Sequence, residues 1–199
     1  MMKHFFSLIA SLIIFQGSVF GQSNDLVQRT NFDELIHERI YTIEINDRQL
    51  LELVKSMNHS YEGVLINSVL KVNRKGEPIK YIRQRLAIPG DDVEKIMNEA
   101  FKQGVESIPS CSEVEGCITG FDGTSISFHI KTTDVDREFS YWEPENDYYQ
   151  NPDLKEIAKI RGILETIKMK IDLNYLFDQF IDSLPIGIYR HGGIVVTKR

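Results

Sequence analysis

Cysteine is scarce in this chain of 199 residues, and long apolar runs are scarcer still. The two cysteines, Cys111 and Cys117, cannot build a multi-ligand metal knuckle, because the ligands that a structural zinc site needs at recognisable spacing are missing around them. No stretch reaches the roughly twenty apolar residues that span a bilayer as a helix. Basic side chains are outnumbered, 23 Lys plus Arg against 29 Asp plus Glu. A phosphate-tracking protein concentrates positive charge, so this balance argues against nucleic acid and anionic membrane surfaces as partners. Arg74-Lys75 and the Lys80 to Arg85 stretch read as solvated turn and strand faces.

The familiar catalytic signatures are also missing. Gly123-Thr124-Ser125-Ile126-Ser127 lacks the second glycine of a nucleophile elbow and sits in a strand pattern. His37-Glu38 is followed by Arg39-Ile40-Tyr41, which breaks the metalloprotease helix motif. Neither a P-loop nor a dinucleotide-binding glycine motif occurs, and Asp134-Val135-Asp136 lacks the remaining ligands of a calcium loop. His129 shares a strand face with Ser125 and Ser127, but strand rise puts them roughly 13 and 7 Å away, too far for a Ser–His pair. It is expected to be a solvated or edge residue, and His191 a turn residue. No catalytic residue, metal or cofactor is assigned.

What is present begins with an export signal. Met1-Met2-Lys3-His4 is a short basic start, and Phe5 to Phe15 is an apolar run of the length and flanks of a signal h-region. Val19 and Gly21 occupy the small-residue positions, so cleavage is expected after Gly21, with residues 1–21 removed and 22–199 forming one domain. The mature chain is then expected to be periplasmic or secreted, without a transmembrane segment. In an oxidising compartment Cys111 and Cys117 are expected to form a local disulfide. The acidic neighbours Glu113 and Glu115 disfavour a reactive thiolate.

Periodicity along the mature chain predicts a mixed architecture. Arg39–Asn46 alternates as a strand, and Asp47 reads as the cap of a short helix through Met57 with Leu50, Leu51 and Val54 on its stripe. Val64–Val72 and Ile79–Ile88 flank turn chemistry and form a hairpin. Asp91 and Glu94 make a capping-box-like pair opening a helix striped by Val93, Ile96, Met97, Ala100 and Phe101. Thr124–Lys131 and Arg137–Trp142 form a second hairpin. Asn151-Pro152-Asp153 opens a long helix, Asp172 caps another, and Ile186–Thr197 closes as a terminal hairpin around His191-Gly192-Gly193. Strand pairs joined by turns indicate an α+β fold, a mainly antiparallel sheet packed on amphipathic helices.

One stretch concentrates recognition chemistry. Tyr141, Trp142, Glu143, Glu145, Tyr148 and Tyr149 bring the only tryptophan, flat aromatic faces and carboxylate acceptors into one loop-like segment. These residues are candidates for binding a protein or carbohydrate partner. The other reading makes Phe139 and Tyr141 core residues and has Trp142 to Tyr149 clasp the following helix.

The signal ending Phe20-Gly21-Gln22 resembles that of exported Bacteroidota proteins. Tyr141-Trp142-Glu143-Pro144-Glu145, a helix pair, and Leu184-Pro185-Ile186-Gly187-Ile188-Tyr189 with its glycine turn look like uncharacterised exported proteins of that group. The likeness spans about a third of the chain and implies no activity and no catalytic residues. Strand, turn, strand and helix over Val64–Val105 resemble a TonB carboxyl-terminal unit. A non-enzymatic exported binding protein, of inhibitor or immunity type, is therefore the leading expectation. An unfamiliar hydrolase of glycans or peptides is the alternative, and a structural envelope protein the third.

Overall fold

The computed structural model describes residues 29–199, so the expected signal segment lies outside the described residues. Four strands follow one another as antiparallel hairpins: β1 (His37–Ile45), β2 (Gln49–Ser56), β3 (Tyr61–Val72) and β4 (Pro78–Ile88). After α1 (Gly90–Lys102), β5 (Ser125–Thr132) returns to pair with the free edge of β1, and β6 (Asp136–Trp142) pairs with β5. Then α2 (Lys155–Lys170) and α3 (Leu173–Ser183) lead into the hairpin of β7 (Gly187–His191) and β8 (Ile194–Lys198). β7 joins β3 at Leu70–Val72, beyond Asn67, where the pairing of β3 with β2 stops, completing an eight-stranded antiparallel sheet. The fold is α+β, as the turn-linked strand pattern predicts.

All three helices cover one face of that sheet. Tyr41, Ile43 and Ile45 of β1 lie in register with Leu51 and Leu53 of β2 and with Ile126, Phe128 and Ile130 of β5. This row packs beneath Val93, Ile96, Met97 and Ala100 of α1 and Ile157, Ile160, Leu164 and Ile167 of α2. A second cluster seats Phe177 and Phe180 of α3 on Val69, Ile82 and Tyr189.

Three side-chain amides run across the sheet under α3. Asn67 Nδ2 donates to Gln84 Oε1 at 3.0 Å and to Leu176 O at 3.3 Å. Gln49 Nε2 donates to Asn67 Oδ1 at 3.0 Å and to Leu173 O at 2.8 Å. Partners on both sides fix which end of each amide is oxygen. Within this trio, Gln49 Oε1 stays buried without a hydrogen-bond partner among the described residues.

The segment after Asp47 is a strand and not the expected helix. Leu51 faces Ile43 on one side and Leu65 on the other, so the segment is fully laddered in the middle of the sheet. Leu50 to Leu53 are buried at consecutive positions, because both faces of the sheet are covered here. A run buried on both faces mimics a helical stripe. Asn46 makes the turn at φ 50°, with its Oδ1 accepting from Ser125 N at 2.7 Å. Asp47 caps no helix and accepts instead from Gly192 N.

α1 also opens differently from expectation. Pro89 precedes it, no side chain caps its first turn, and Asp91 and Asp92 sit inside that turn, where negative charge complements the helix dipole. It ends at Lys102, with Gly104 at φ 77° and the N–H groups of Gly104 and Val105 returning to Phe101 O and Ala100 O, a Schellman closure. Phe101 therefore lies outside the buried stripe, half-exposed beneath the Arg39 guanidinium at 4.3 Å. α2 begins at Lys155, three residues after Pro152, without a side-chain cap. Asp172 does cap α3, accepting from Tyr175 N.

The edge alternative for His129 and the turn assignment of His191 need correction, while the His129 side chain stays partly exposed. His129 is not on an edge, since β5 lies between β1 and β6. Its Nε2 faces Asp136 Oδ1 at 3.0 Å and its Nδ1 faces Arg29 Nη1 at 2.9 Å, which the Nε2–H tautomer satisfies at both ends. His191 is the buried last residue of β7, edge-on to Phe177 with ring centroids 4.8 Å apart. Its Nδ1 has no partner among the described residues.

Burial, reinforced by Arg48 and opposed by Asp47, holds the His191 pKa below the ordinary histidine value. The unfolded chain then binds a proton near pH 6.5 that the folded protein resists, so stability is present above that pH and lost as pH falls below it. Melting temperature should drop between about pH 7.5 and pH 5.5, and His191→Phe, which keeps the aromatic contact, should flatten part of that drop. Parallel pH curves for the two proteins would remove His191 from the account.

Candidate functional site

The disulfide and one buried glutamine build the surface on which the aromatic segment sits. Cys111 and Cys117 are bonded, with Cα atoms 5.4 Å apart, and close a loop that starts in a single 3-10 turn at Cys111–Glu113. Closing so small a loop stabilises by about 2 kcal/mol in the chain-entropy account. Gln150 lies buried between this loop and the next. Its Nε2 donates to Ile118 O at 2.7 Å and to Trp142 O at 2.6 Å, and its Oε1 accepts from Ile118 N at 3.2 Å. The 118–124 and 142–150 segments are thereby held side by side.

Trp142 is fixed between them. Its Nε1–H donates to Asp122 O, and its ring lies against Gly120, where a Cβ would sit 2.4 Å from ring carbon Cε2. Only glycine leaves room for that approach. The ring also meets Tyr149 at 4.7 Å, and Tyr149 meets Tyr148 edge-on at 4.9 Å.

The six residues singled out by composition separate into roles. Tyr141 is wholly buried, its hydroxyl donating to Pro109 O at 2.7 Å and burial raising its pKa, so it belongs to the core with Phe139. Glu143, at φ 45°, spends its Oε1 on the Thr124 N–H. Glu145 pairs with Lys168 at 2.5 Å. With Arg161 donating to Pro144 O at 2.7 Å and pairing with Asp147 at 2.7 Å, the segment does clasp α2. Such exposed ion pairs orient more than they stabilise. Tyr148, 86% exposed, and Tyr149, 38% exposed, remain at the surface.

Composition missed the largest contributor. Phe121 projects entirely into solvent beside half-exposed Ile118, on the loop that Gln150 ties to the aromatic segment. The signal was a bulky aromatic inside the turn Gly120-Phe121-Asp122-Gly123, where a polar residue is ordinary. Phe121, Ile118, Tyr148 and Tyr149 thus stand on two adjoining, braced loops.

A cleft of about 380 Å³ opens on the other side of the same segment. Ile45 and Ile126 from the sheet and Leu164, Ile167 and Ile171 from the end of α2 supply its apolar lining. Arg48, Gln49, Glu145, Lys168, Asp172 and Asn174 supply its polar and charged lining. Sequence periodicity could not have found it, because the β1–β2 turn and the α2–α3 elbow meet only in three dimensions. Among the described residues no group of three His, Cys, Asp or Glu side chains is placed to hold a metal, and no helix is long and apolar enough to cross a membrane.

Neither known protein families nor curated protein sequences provide a match for the chain.

Gln150→Ala should cut the brace between the two loops and cost about 1–3 kcal/mol, since it strands the Ile118 and Trp142 backbone groups. Trp142 is the only tryptophan, so its fluorescence reports the change directly, with emission moving to longer wavelength at unchanged far-ultraviolet circular dichroism. An unshifted emission spectrum would mean that other contacts hold Trp142.

Proposed function

We propose that this chain is an exported, non-enzymatic binding protein that takes a protein partner on the patch formed by Phe121, Tyr148 and Tyr149. The observation that carries the reading is the complete exposure of Phe121 and the large exposure of Tyr148, on two loops braced to each other by a buried glutamine beside a disulfide. Folding gains nothing from aromatic rings left in water, whereas an interface draws on rigid aromatic anchors for most of its energy. Pre-bracing keeps the entropy of ordering them out of the binding step. The acidic balance, a formal net charge of −6, suits a basic partner, as an inhibitor or immunity protein would have. Export is supported by the basic start, the short apolar run and small residues before Gln22, and by the bonded cysteine pair, which is rare in reducing compartments.

Affinity purification of the tagged protein from its host, followed by mass spectrometry, tests this. Phe121→Ala with Tyr148→Ala removes no core packing, so the melting temperature should stay within about 2 °C while a stoichiometric partner recovered with wild type disappears. Recovery of the same partner by the double variant would place the interface elsewhere. Absence of any partner from both would sink the binding reading.

A further inference from the structure

Two residues that line the cleft between the β1–β2 turn and the α2–α3 elbow each hold one buried polar atom without a hydrogen-bond partner among the described residues. Gln49 is 3% exposed, and its Nε2 is fully spent on Asn67 Oδ1 and Leu173 O, which leaves Oε1 as a buried acceptor with no donor. On the preceding residue, Arg48 Nε is a buried donor with no acceptor among the described residues. Arg48 has no carboxylate within ion-pair distance among the described residues, and its one hydrogen bond, from Nη2 to Asn174 Oδ1, is long at 3.5 Å. Of the carboxylates that share the cleft, Glu145 faces Lys168, and Asp172 accepts from Tyr175 N through Oδ1. A buried polar atom left unpaired costs about 1–3 kcal/mol, so a cleft whose lining strands an acceptor and a cationic donor on consecutive residues is matched to a ligand supplying both complements.

Those complements define a chemistry. The guanidinium edge that includes Nε takes a carboxylate in a two-point contact. Gln49 Oε1 takes one N–H adjacent to that carboxylate. The Ile45, Ile126, Leu164 and Ile167 surface takes an apolar side chain. A fatty acid has no N–H for Gln49, and a phosphate or sugar leaves the apolar lining unfilled. A free ammonium would bring three donors to one open acceptor. We propose that this cleft binds the carboxyl-terminal residue of a peptide, with its α-carboxylate on Arg48, its amide N–H on Gln49 and an apolar side chain against the lining. The cavity is of the size that holds one or two residues. The site is distinct from the aromatic patch and stands without it.

Titration of the purified protein with N-acetyl-L-leucine, N-acetyl-L-leucinamide, L-leucine and a tetrapeptide ending in leucine, followed by calorimetry, tests the assignment. N-acetyl-leucine and the tetrapeptide should bind saturably. The amide, which lacks the carboxylate, should bind at least about tenfold more weakly, and Arg48→Met should weaken N-acetyl-leucine by a similar factor. The comparison of acid with amide uses wild-type protein and so stands even if the variant misfolds. Equal binding of acid and amide, or no saturable binding of either acylated ligand, overturns the proposal. Tighter binding of free leucine than of N-acetyl-leucine overturns the amide contact. Binding of N-acetyl-leucine with exclusion of the tetrapeptide overturns the peptide terminus in favour of a free acylated amino acid.

Discussion

The side-chain amides of Gln84, Asn67 and Gln49 do two jobs that hydrophobic contact could not do alone. Apolar burial would let α3 slide or rotate over Val69, Ile82 and Tyr189, because it has no direction. Hydrogen bonds from Asn67 and Gln49 to the backbone carbonyls of Leu176 and Leu173 admit one position along the helix axis. An amide buried without partners is costly, so once these three are under the helix their mutual pairing is obligatory. The same constraint sets the angle between α2 and α3, since Leu173 follows the last turn of α2 by only three residues. That elbow, with Arg48 and Gln49 beyond it, is the wall of the cleft.

Where one periodicity competes with no other, local sequence dictates the fold. The β3–β4 hairpin, the stripe of α2, the Asp172 cap and the terminal glycine turn are readable because each is specified by residues adjacent in the chain. β2 is not, since Leu50 to Leu53 satisfy both a helical stripe and a strand buried on both faces. The arbiter is the pair of flanking strands, which the local window does not contain. The opening of α1 departs from its local signal for a related reason: Asp91 and Glu94 have capping-box spacing, yet Pro89 holds the N-cap position two residues before Asp91, which therefore lies inside the first turn.

The candidate site was legible only in part, and the division has a physical basis. Composition locates aromatic and acidic residues but does not tell which way each points. Alternation in β6 turns Tyr141 inward with Phe139, and it carries its hydroxyl to a backbone partner as a buried tyrosine must. Phe121 escaped notice because its neighbours are turn formers, and exposure of an aromatic in a turn depends on what Gln150 and the disulfide hold still. Arg48 and Gln49 resemble ordinary polar residues next to a turn. Their significance lies in hydrogen bonds left unmade, a property of tertiary structure alone.

Patch and cleft share the loop between Trp142 and Gln150, and the ties of that loop explain why both keep their shape. Gln150 anchors its end to the disulfide-closed segment, while Glu145 and Asp147 reach across to Lys168 and Arg161 on α2. Tyr148 therefore cannot fold back onto the protein without breaking ties on either side of it, and it stays presented to solvent. The same Glu145–Lys168 pair borders the cleft, so the loop that displays the aromatic rings also supplies one of the cleft's walls. A single braced loop, set by one buried glutamine and two ion pairs, thus defines the outward face of one surface and the boundary of the other.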